Sequence, residues 1–266
     1  MLNVIYRIAA LPLTVLVYLL NDGLSLWWCV PIYLGMYLFL NFLHIFAILI
    51  IWIFLPAKRT PERPISVCRG MIWISMGWIC SWLRMRVRTE GAEKLPNEPC
   101  VIVSNHISAY DPLVLIHAVG KEKYPVFISK QEVFKVPVVG RYMRCGGFLP
   151  LDRSNALRAA RTLQDAGITM QKSGVNVGIY PEGTRSRTGK LLRFKDGGFV
   201  LAQRAGAPIV VTAVKGTDLA KKRFPWRSTK VTLKVLGVID KETVKSMSTA
   251  ELSAEARRIM EEELGQ

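Results

Sequence analysis

Cys100-Val101-Ile102-Val103-Ser104-Asn105-His106-Ile107-Ser108-Ala109-Tyr110-Asp111-Pro112 decides the fold. Its first five residues carry no charge and include three β-branched side chains, the composition of a strand buried on both faces. Asp111-Pro112 marks a helix start, because proline is preset for an early helical position and gives up a donor not needed there. Asn105-His106 therefore falls at the carboxyl end of a buried strand, where open α/β sheets bind ligands. The alternation extends both ways. Met85–Thr89 and Val126–Ser129 read as strands, and Gly146–Leu151 as a strand or loop. Asn155–Lys172 has helical periodicity, Val175–Tyr180 is a second buried strand, Gly198–Arg204 a short helix and Ile209–Val214 another strand. Lys230–Val238 alternates as an edge strand would, and Ser248 with Glu251 forms a capping box for a final helix to Leu264. Strands alternating with helices predict an α/β, layered sheet-and-helix domain over residues 84–266.

The front of the chain is different. Gly23 to Ala57 is a run of 35 residues without a charge, and about 20 apolar residues are enough to cross a bilayer. A shorter apolar stretch, Ile8–Leu20, precedes it across a turn at Asn21-Asp22-Gly23. Residues 1–56 are thus expected to be membrane helices. They form either a helical hairpin with both ends on the cytoplasmic side, the preferred reading, or an interfacial helix followed by one span. Pro31 is the expected break in the long run. Lys58, Arg59 and Arg63 follow directly and place the rest of the chain in the cytoplasm. Residues 57–83 read as a basic linker and a Trp-rich apolar helix, suited equally to the membrane interface and to the core of the following domain.

Composition narrows the function. The net charge is +16, of which +13 falls on residues 84–266. On a membrane-tied domain such a charge faces anionic headgroups and anionic substrates. Zinc-finger spacing, a basic helical stripe and aromatic-basic RNA motifs are all missing, which argues against nucleic acid. The five cysteines show no paired spacing and read as small buried hydrophobes in a reducing compartment. No metal site is expected from three His without a ligand pattern.

Two segments carry chemistry. His106 and Asp111 are five residues apart, a spacing that puts them on different faces of a continuous helix. If the chain turns at Ser108, Asp111 can orient the imidazole as the third member of a catalytic triad does; otherwise Asp111 is a helix cap and His106 a loop residue. Tyr180-Pro181-Glu182-Gly183-Thr184-Arg185-Ser186 follows the second buried strand and opens a stretch with five cations in eleven residues, from Arg185 to Lys195. Guanidinium forks match phosphate oxygens. The stretch lacks the spacing of a P-loop, and the chain has no G-x-S-x-G nucleophile elbow.

These blocks, in this order, resemble the 1-acylglycerol-3-phosphate O-acyltransferase (lysophosphatidic acid acyltransferase) family over roughly residues 84–217. His106 to Asp111 is similar to its H-x4-D block. Gly147-Phe148-Leu149-Pro150-Leu151-Asp152-Arg153 resembles the block that ends in a substrate-contacting Arg. Tyr180–Ser186 resembles F-P-E-G-T-R-S, with Tyr for Phe, and Ala207-Pro208-Ile209-Val210-Val211 resembles V-P-I-V-P without the second Pro. Lys130-Gln131-Glu132-Val133 fits a K-x-E-L stretch. The resemblance implies acyl transfer from acyl-CoA or acyl-carrier protein, a substrate rather than a cofactor, to the sn-2 hydroxyl of 1-acylglycerol 3-phosphate, giving phosphatidic acid. His106 would be the general base oriented by Asp111. Arg153, Gly183, Thr184 and Arg185, with Lys130, would bind the acceptor, and Glu182 its glycerol or the neighbouring Arg185. The implied partners are the lysophospholipid, the bilayer and an acyl-carrier protein. The alternatives are another acceptor, such as glycerol 3-phosphate or a lyso-aminolipid, hydrolysis of the same esters, and silent binding of anionic lipid.

Overall fold

The computed structural model describes residues 2–21, 23–56, 64–120, 123–152 and 156–265. Asp22, Lys58, Arg59 and Arg63 lie outside them. In chain order the elements are α1 (Leu2–Leu19), α2 (Cys29–Phe54), α3 (Ser66–Trp82), β1 (Met85–Glu90), β2 (Val101–Ser104), α4 (Asp111–Val119), β3 (Pro125–Lys130), α5 (Val139–Cys145), β4 (Leu149–Leu151), α6 (Ala156–Ser173), β5 (Asn176–Ile179), α7 (Val200–Ala205), β6 (Ile209–Lys215), α8 (Ala220–Arg223), β7 (Thr229–Ile239), α9 (Lys241–Ser246) and α10 (Thr249–Leu264).

One seven-stranded sheet has the order β1-β7-β6-β2-β5-β3-β4. From β6 to β4 every neighbouring pair is parallel. β7 runs antiparallel to β6 and parallel to β1. β2 and β5 are buried at every residue, as is β6 as far as Val214. Burial on both faces requires helices on both sides of the sheet, and these are α3 with α4, and α6, α7 and α10. The α/β expectation is met. One strand differs: β7, expected at an edge, lies inside because β1 pairs along its outer side from Met85↔Thr229 to Glu90↔Lys234. Its alternating burial reflects one dry face, and such a pattern does not distinguish an edge strand from a penultimate one.

The helices before the sheet invert the ordinary burial pattern. The buried residues of α1 and α2 are Asn3, Ala10, Thr14, Asn41 and His44, whereas most of their Leu, Ile, Val and Phe side chains point outward. The segment Leu26–Phe54 is long and apolar enough to cross a membrane, and α1 is a shorter apolar helix packed on it. The polar residues form a seam. The Tyr37 hydroxyl donates to Asn3 Oδ1 at 2.6 Å, and Asn41 Oδ1 accepts from the indole N–H groups of Trp78 at 2.8 Å and Trp82 at 3.2 Å. Pro31 breaks nothing: it sits in the first turn of α2, where no donor is missed.

α3 joins the two halves. One side of it carries the indoles that meet Asn41; the other buries Cys68, Ile72 and Cys80 in the core of the sheet domain. Arg69 lies 4.3 Å over the Tyr124 ring and donates to the Tyr124 carbonyl, while the Tyr124 hydroxyl donates back to the Arg69 carbonyl at 3.0 Å. α5 holds the far end of α2: Arg141 donates to the carbonyls of Trp52 and Leu55, filling acceptors that a helix end leaves unpaired. α3 and α4 approach so closely at Gly77 that an added Cβ would lie 2.7 Å from His117 Nδ1.

Burial at this contact lowers the pKa of His117, so the folded protein binds that proton more weakly than the unfolded chain does. The sign follows: the stability contributed by neutral His117 is complete above its ordinary value near 6.5 and is lost as the pH falls through the lowered folded value. The thermal midpoint of the wild type should therefore fall more steeply with acidification below about pH 6.5 than that of His117→Gln, a difference that differential scanning fluorimetry in detergent will read.

Candidate active site

Three adjacent parallel strands, β6, β2 and β5, end at one edge of the sheet, and each delivers part of the site. From β2 the chain continues into Asn105-His106. The Asn105 side chain behaves as one more residue of the ladder, donating to the Val214 carbonyl at 3.0 Å and accepting from the Val214 N–H at 2.7 Å. This fixes the backbone immediately before His106.

The turn that the spacing demanded is present. His106 Nδ1 lies 2.8 Å from Asp111 Oδ2, and the same oxygen accepts from the backbone N–H groups of Ile107 and Ser108, each at 2.8 Å. The other carboxylate oxygen accepts from the Thr217 hydroxyl, at the end of β6. Asp111 is fully buried, and α4 begins with this residue without a side-chain cap. Its carboxylate is thus a bracket for the His106 turn and not an ordinary helix cap. With Nδ1–H given to Asp111, the lone pair of the imidazole is on Nε2, the tautomer of a general base. Nε2 has no hydrogen-bond partner among the described residues, and the side chain is 18% exposed.

The Tyr180–Ser186 block, from the end of β5, is knitted to this turn. Glu182 Oε1 accepts from the His106 N–H at 2.7 Å, and the Ser186 N–H donates to the His106 carbonyl at 2.7 Å. Glu182 Oε2 accepts from the Leu192 N–H at 3.0 Å. Burial raises the pKa of Glu182, opposed by these two N–H groups. Both of its oxygens accept from backbone N–H groups, so Glu182 clamps two loops together. Gly183 takes a left-handed φ of 69°, and Lys195 Nζ lies 3.0 Å from where a Cβ would stand, so the ammonium sits directly over this turn. Thr184 and Arg185 are exposed beside it, free to meet a ligand. Lys130 is also exposed and pairs with Glu132 at 3.2 Å, a surface ion pair of small worth. Arg153 lies outside the described residues.

Two residues were missed by sequence reasoning. Thr217 lies past the expected end of its strand, in a segment without a motif. Tyr180 was read only as a replacement for Phe, yet its ring stacks on the His106 imidazole, with centroids 4.2 Å apart and planes at 20°, and on Phe127 behind it. An aromatic residue directly before Pro-Glu-Gly was the available signal.

Next to the turn an apolar cavity of about 450 Å³ opens. Ala109 and Pro112 of the His–Asp segment form part of its wall. Ile48 of α2, Met71 and Met76 of α3, and Met143 of α5 form others. No group of His, Cys, Asp and Glu suited to a metal ion occurs among the described residues. A base oriented by a buried carboxylate, an exposed cationic turn and an apolar cavity together suit transfer between an anionic, hydroxyl-bearing molecule and one with a long apolar chain.

Comparison with known proteins agrees with this geometry. The Acyltransferase family model matches residues 86–215. The chain is 38% identical over 144 residues to 1-acyl-sn-glycerol-3-phosphate acyltransferase beta of Homo sapiens, covering 53% of this chain and 51% of that one. It is 38% identical over 130 residues to the chloroplastic 1-acyl-sn-glycerol-3-phosphate acyltransferase BAT2 of Brassica napus, covering 48% and 37%. The match thus spans between about a third and a half of the length of these curated relatives. A crystal structure of the 1-acyl-sn-glycerophosphate acyltransferase PlsC from Thermotoga maritima superimposes with a TM-score of 0.64 at 27% identity, over 85% of this chain and 88% of that one.

Removing the Thr217 hydroxyl leaves one oxygen of a buried carboxylate short of a donor. Thr217→Val should cost about 1–3 kcal/mol of stability and lower the thermal midpoint, while Thr217→Ser stays near wild type.

Proposed function

We propose that this chain, whose residues 86–215 match the Acyltransferase family model, moves a fatty acyl chain from an acyl thioester to the sn-2 hydroxyl of 1-acylglycerol 3-phosphate, producing phosphatidic acid at the cytoplasmic face of a membrane. The observation that carries the proposal is the His106–Asp111 pair, held at the sheet edge beside a cavity whose wall includes α2, the apolar helix long enough to span a bilayer.

His106 Nε2 takes the proton of the acceptor hydroxyl as its oxygen attacks the thioester carbonyl. Asp111 stabilises the imidazolium that forms. The tetrahedral intermediate collapses with loss of the thiolate, which receives the proton back from His106. Because the attacking oxygen comes from the acceptor, no acyl-enzyme is needed. The acceptor's phosphate meets the guanidinium of Arg185 and the ammonium of Lys195, with Arg153 assigned to it by motif alone. The acyl chain lies in the cavity, where each buried methylene contributes about 0.8 kcal/mol, and enters it from the bilayer along α2 and α3. Either acyl-CoA or acyl-carrier protein supplies the thioester.

Labelled oleoyl-CoA or oleoyl-carrier protein, supplied with lysophosphatidic acid to the protein in nanodiscs, tests this. Phosphatidic acid should form with the wild type and fall by at least about 10²–10⁴-fold in His106→Ala. Free oleate without phosphatidic acid would show a hydrolase, and no turnover by a folded protein would leave the silent lipid-binding alternative. Arg185→Ala should chiefly raise the KM for the acceptor, and Arg185→Lys should restore it only in part, since an ammonium lacks the guanidinium fork. An unchanged KM in Arg185→Ala would remove the phosphate assignment.

A further inference from the structure

The connection from β6 to β7 carries a cluster of side chains that the site does not use. Lys221, Lys222 and Arg223 of α8 lead into Phe224-Pro225-Trp226-Arg227, and all seven are exposed. Trp226 is 86% exposed and Phe224 42%. The tip is not loose: the Arg227 N–H donates to the Arg223 carbonyl at 2.9 Å, closing the turn that presents the indole. Its sequence neighbourhood is wholly cationic, with six basic and no acidic residues from Leu219 to Ile239. Among the described residues, none of Lys221, Lys222, Arg223 and Arg227 forms an ion pair. Beside the tip the sheet aligns Arg86 with Lys230 across neighbouring strands, two exposed like charges side by side. Such a pair is unfavourable unless an outside anion meets it.

The place of the tip in the fold says what that anion is. The Thr229 N–H, two residues past the tip, donates to the Arg84 carbonyl at 3.0 Å. Arg84 stands two residues after Trp82, whose indole is bonded to Asn41 in the middle of α2. The tip is therefore continuous with the region where the apolar helices join the sheet domain. At its other end the connection begins with Thr217, which bonds Asp111.

We propose that the 221–227 tip is a second membrane contact, in which Trp226 and Phe224 enter the interfacial layer of an anionic bilayer and the surrounding Lys and Arg side chains meet phosphate headgroups. Indole is suited to that layer, with one wet and one dry side, and cations near an anionic surface are attracted to it. Together with α2 the tip gives the sheet domain two separated supports and turns the site mouth, which shares its strand ends, toward the headgroups. The inference rests on the reading of α2 as a membrane helix.

The test uses the full chain in nanodiscs. Cys29 is the one cysteine of the five that is not buried. In a Cys29→Ala background, Trp226→Cys or Leu38→Cys in α2 receives an environment-sensitive nitrobenzoxadiazole label. Nitroxide placed near the lipid headgroups then reports depth, in phosphatidylcholine alone and with phosphatidylglycerol added. For position 38, deep in the hydrocarbon if α2 spans, the nitroxide is carried instead on the acyl chain; the label at 226 should be quenched by the headgroup nitroxide when phosphatidylglycerol is present and released by high salt. Replacing Lys221, Lys222 and Arg223 by Glu should weaken docking by about fivefold or more for each cation removed. Quenching at 38 but not at 226 overturns the second contact and leaves the membrane helix standing; quenching at neither overturns both. Protection of the 226 label by acyl-carrier protein and not by phosphatidylglycerol overturns the proposal in favour of a protein partner.

Discussion

A single buried carboxylate organises the candidate site of the sheet domain. Asp111 has no access to water, and an ion in that position is tolerated only when its oxygens are filled with donors. Four donors reach it: the imidazole, two backbone N–H groups of the turn and the Thr217 hydroxyl from beyond the end of the neighbouring strand β6. The turn cannot relax without exposing two N–H groups, and β6 cannot slide without withdrawing the hydroxyl. The orientation of His106 is therefore a property of the sheet, transmitted through one side chain. Glu182 repeats the device at lower burial, with one oxygen for the His106 backbone and one for Leu192. The geometry of the candidate site is set by carboxylates used as brackets for backbone.

The site also shows a division of labour between its two sides. Polar groups come from the ends of parallel strands, where carbonyl and N–H groups of the ladder are already spoken for and side chains project past the sheet. The apolar wall comes from helices α2, α3, α4 and α5, whose long flexible side chains, Met71, Met76 and Met143 among them, adapt to an irregular occupant. An apolar wall and a polar, cationic one thus meet at a boundary built from two kinds of secondary structure.

Much of this was legible in the chain itself. β2, β5 and β6 were readable because strands buried on both faces are continuous apolar runs, and the last helix because Ser248 and Glu251 satisfy each other's backbone donors. The His106–Asp111 contact was readable as a condition: it needed a turn, and the sequence offered one. What stayed hidden depended on distance along the chain. Thr217 is 106 residues from Asp111, and only the sheet order brings them together. β7 looked like an edge because its pattern reports how many faces are dry and not how many neighbours it has. Pro31 was taken for a break because its position within the helix, and not its presence, decides its effect. The spacing around Glu182 likewise does not reveal that its two oxygens accept from the backbone N–H groups of His106 and Leu192.

The sharing of Asn41 Oδ1 by Trp78 and Trp82 has a consequence for biogenesis. The ribosome completes α1 and α2 before α3 exists, so the nascent apolar helices carry an amide oxygen that lacks its two indole donors. An apolar surrounding supplies no substitute for them. The emergence of α3 fills that acceptor and, through Cys68, Ile72 and Cys80, starts the core onto which the later strands fold. One helix thereby links the closing of the polar seam to the start of the sheet-domain core.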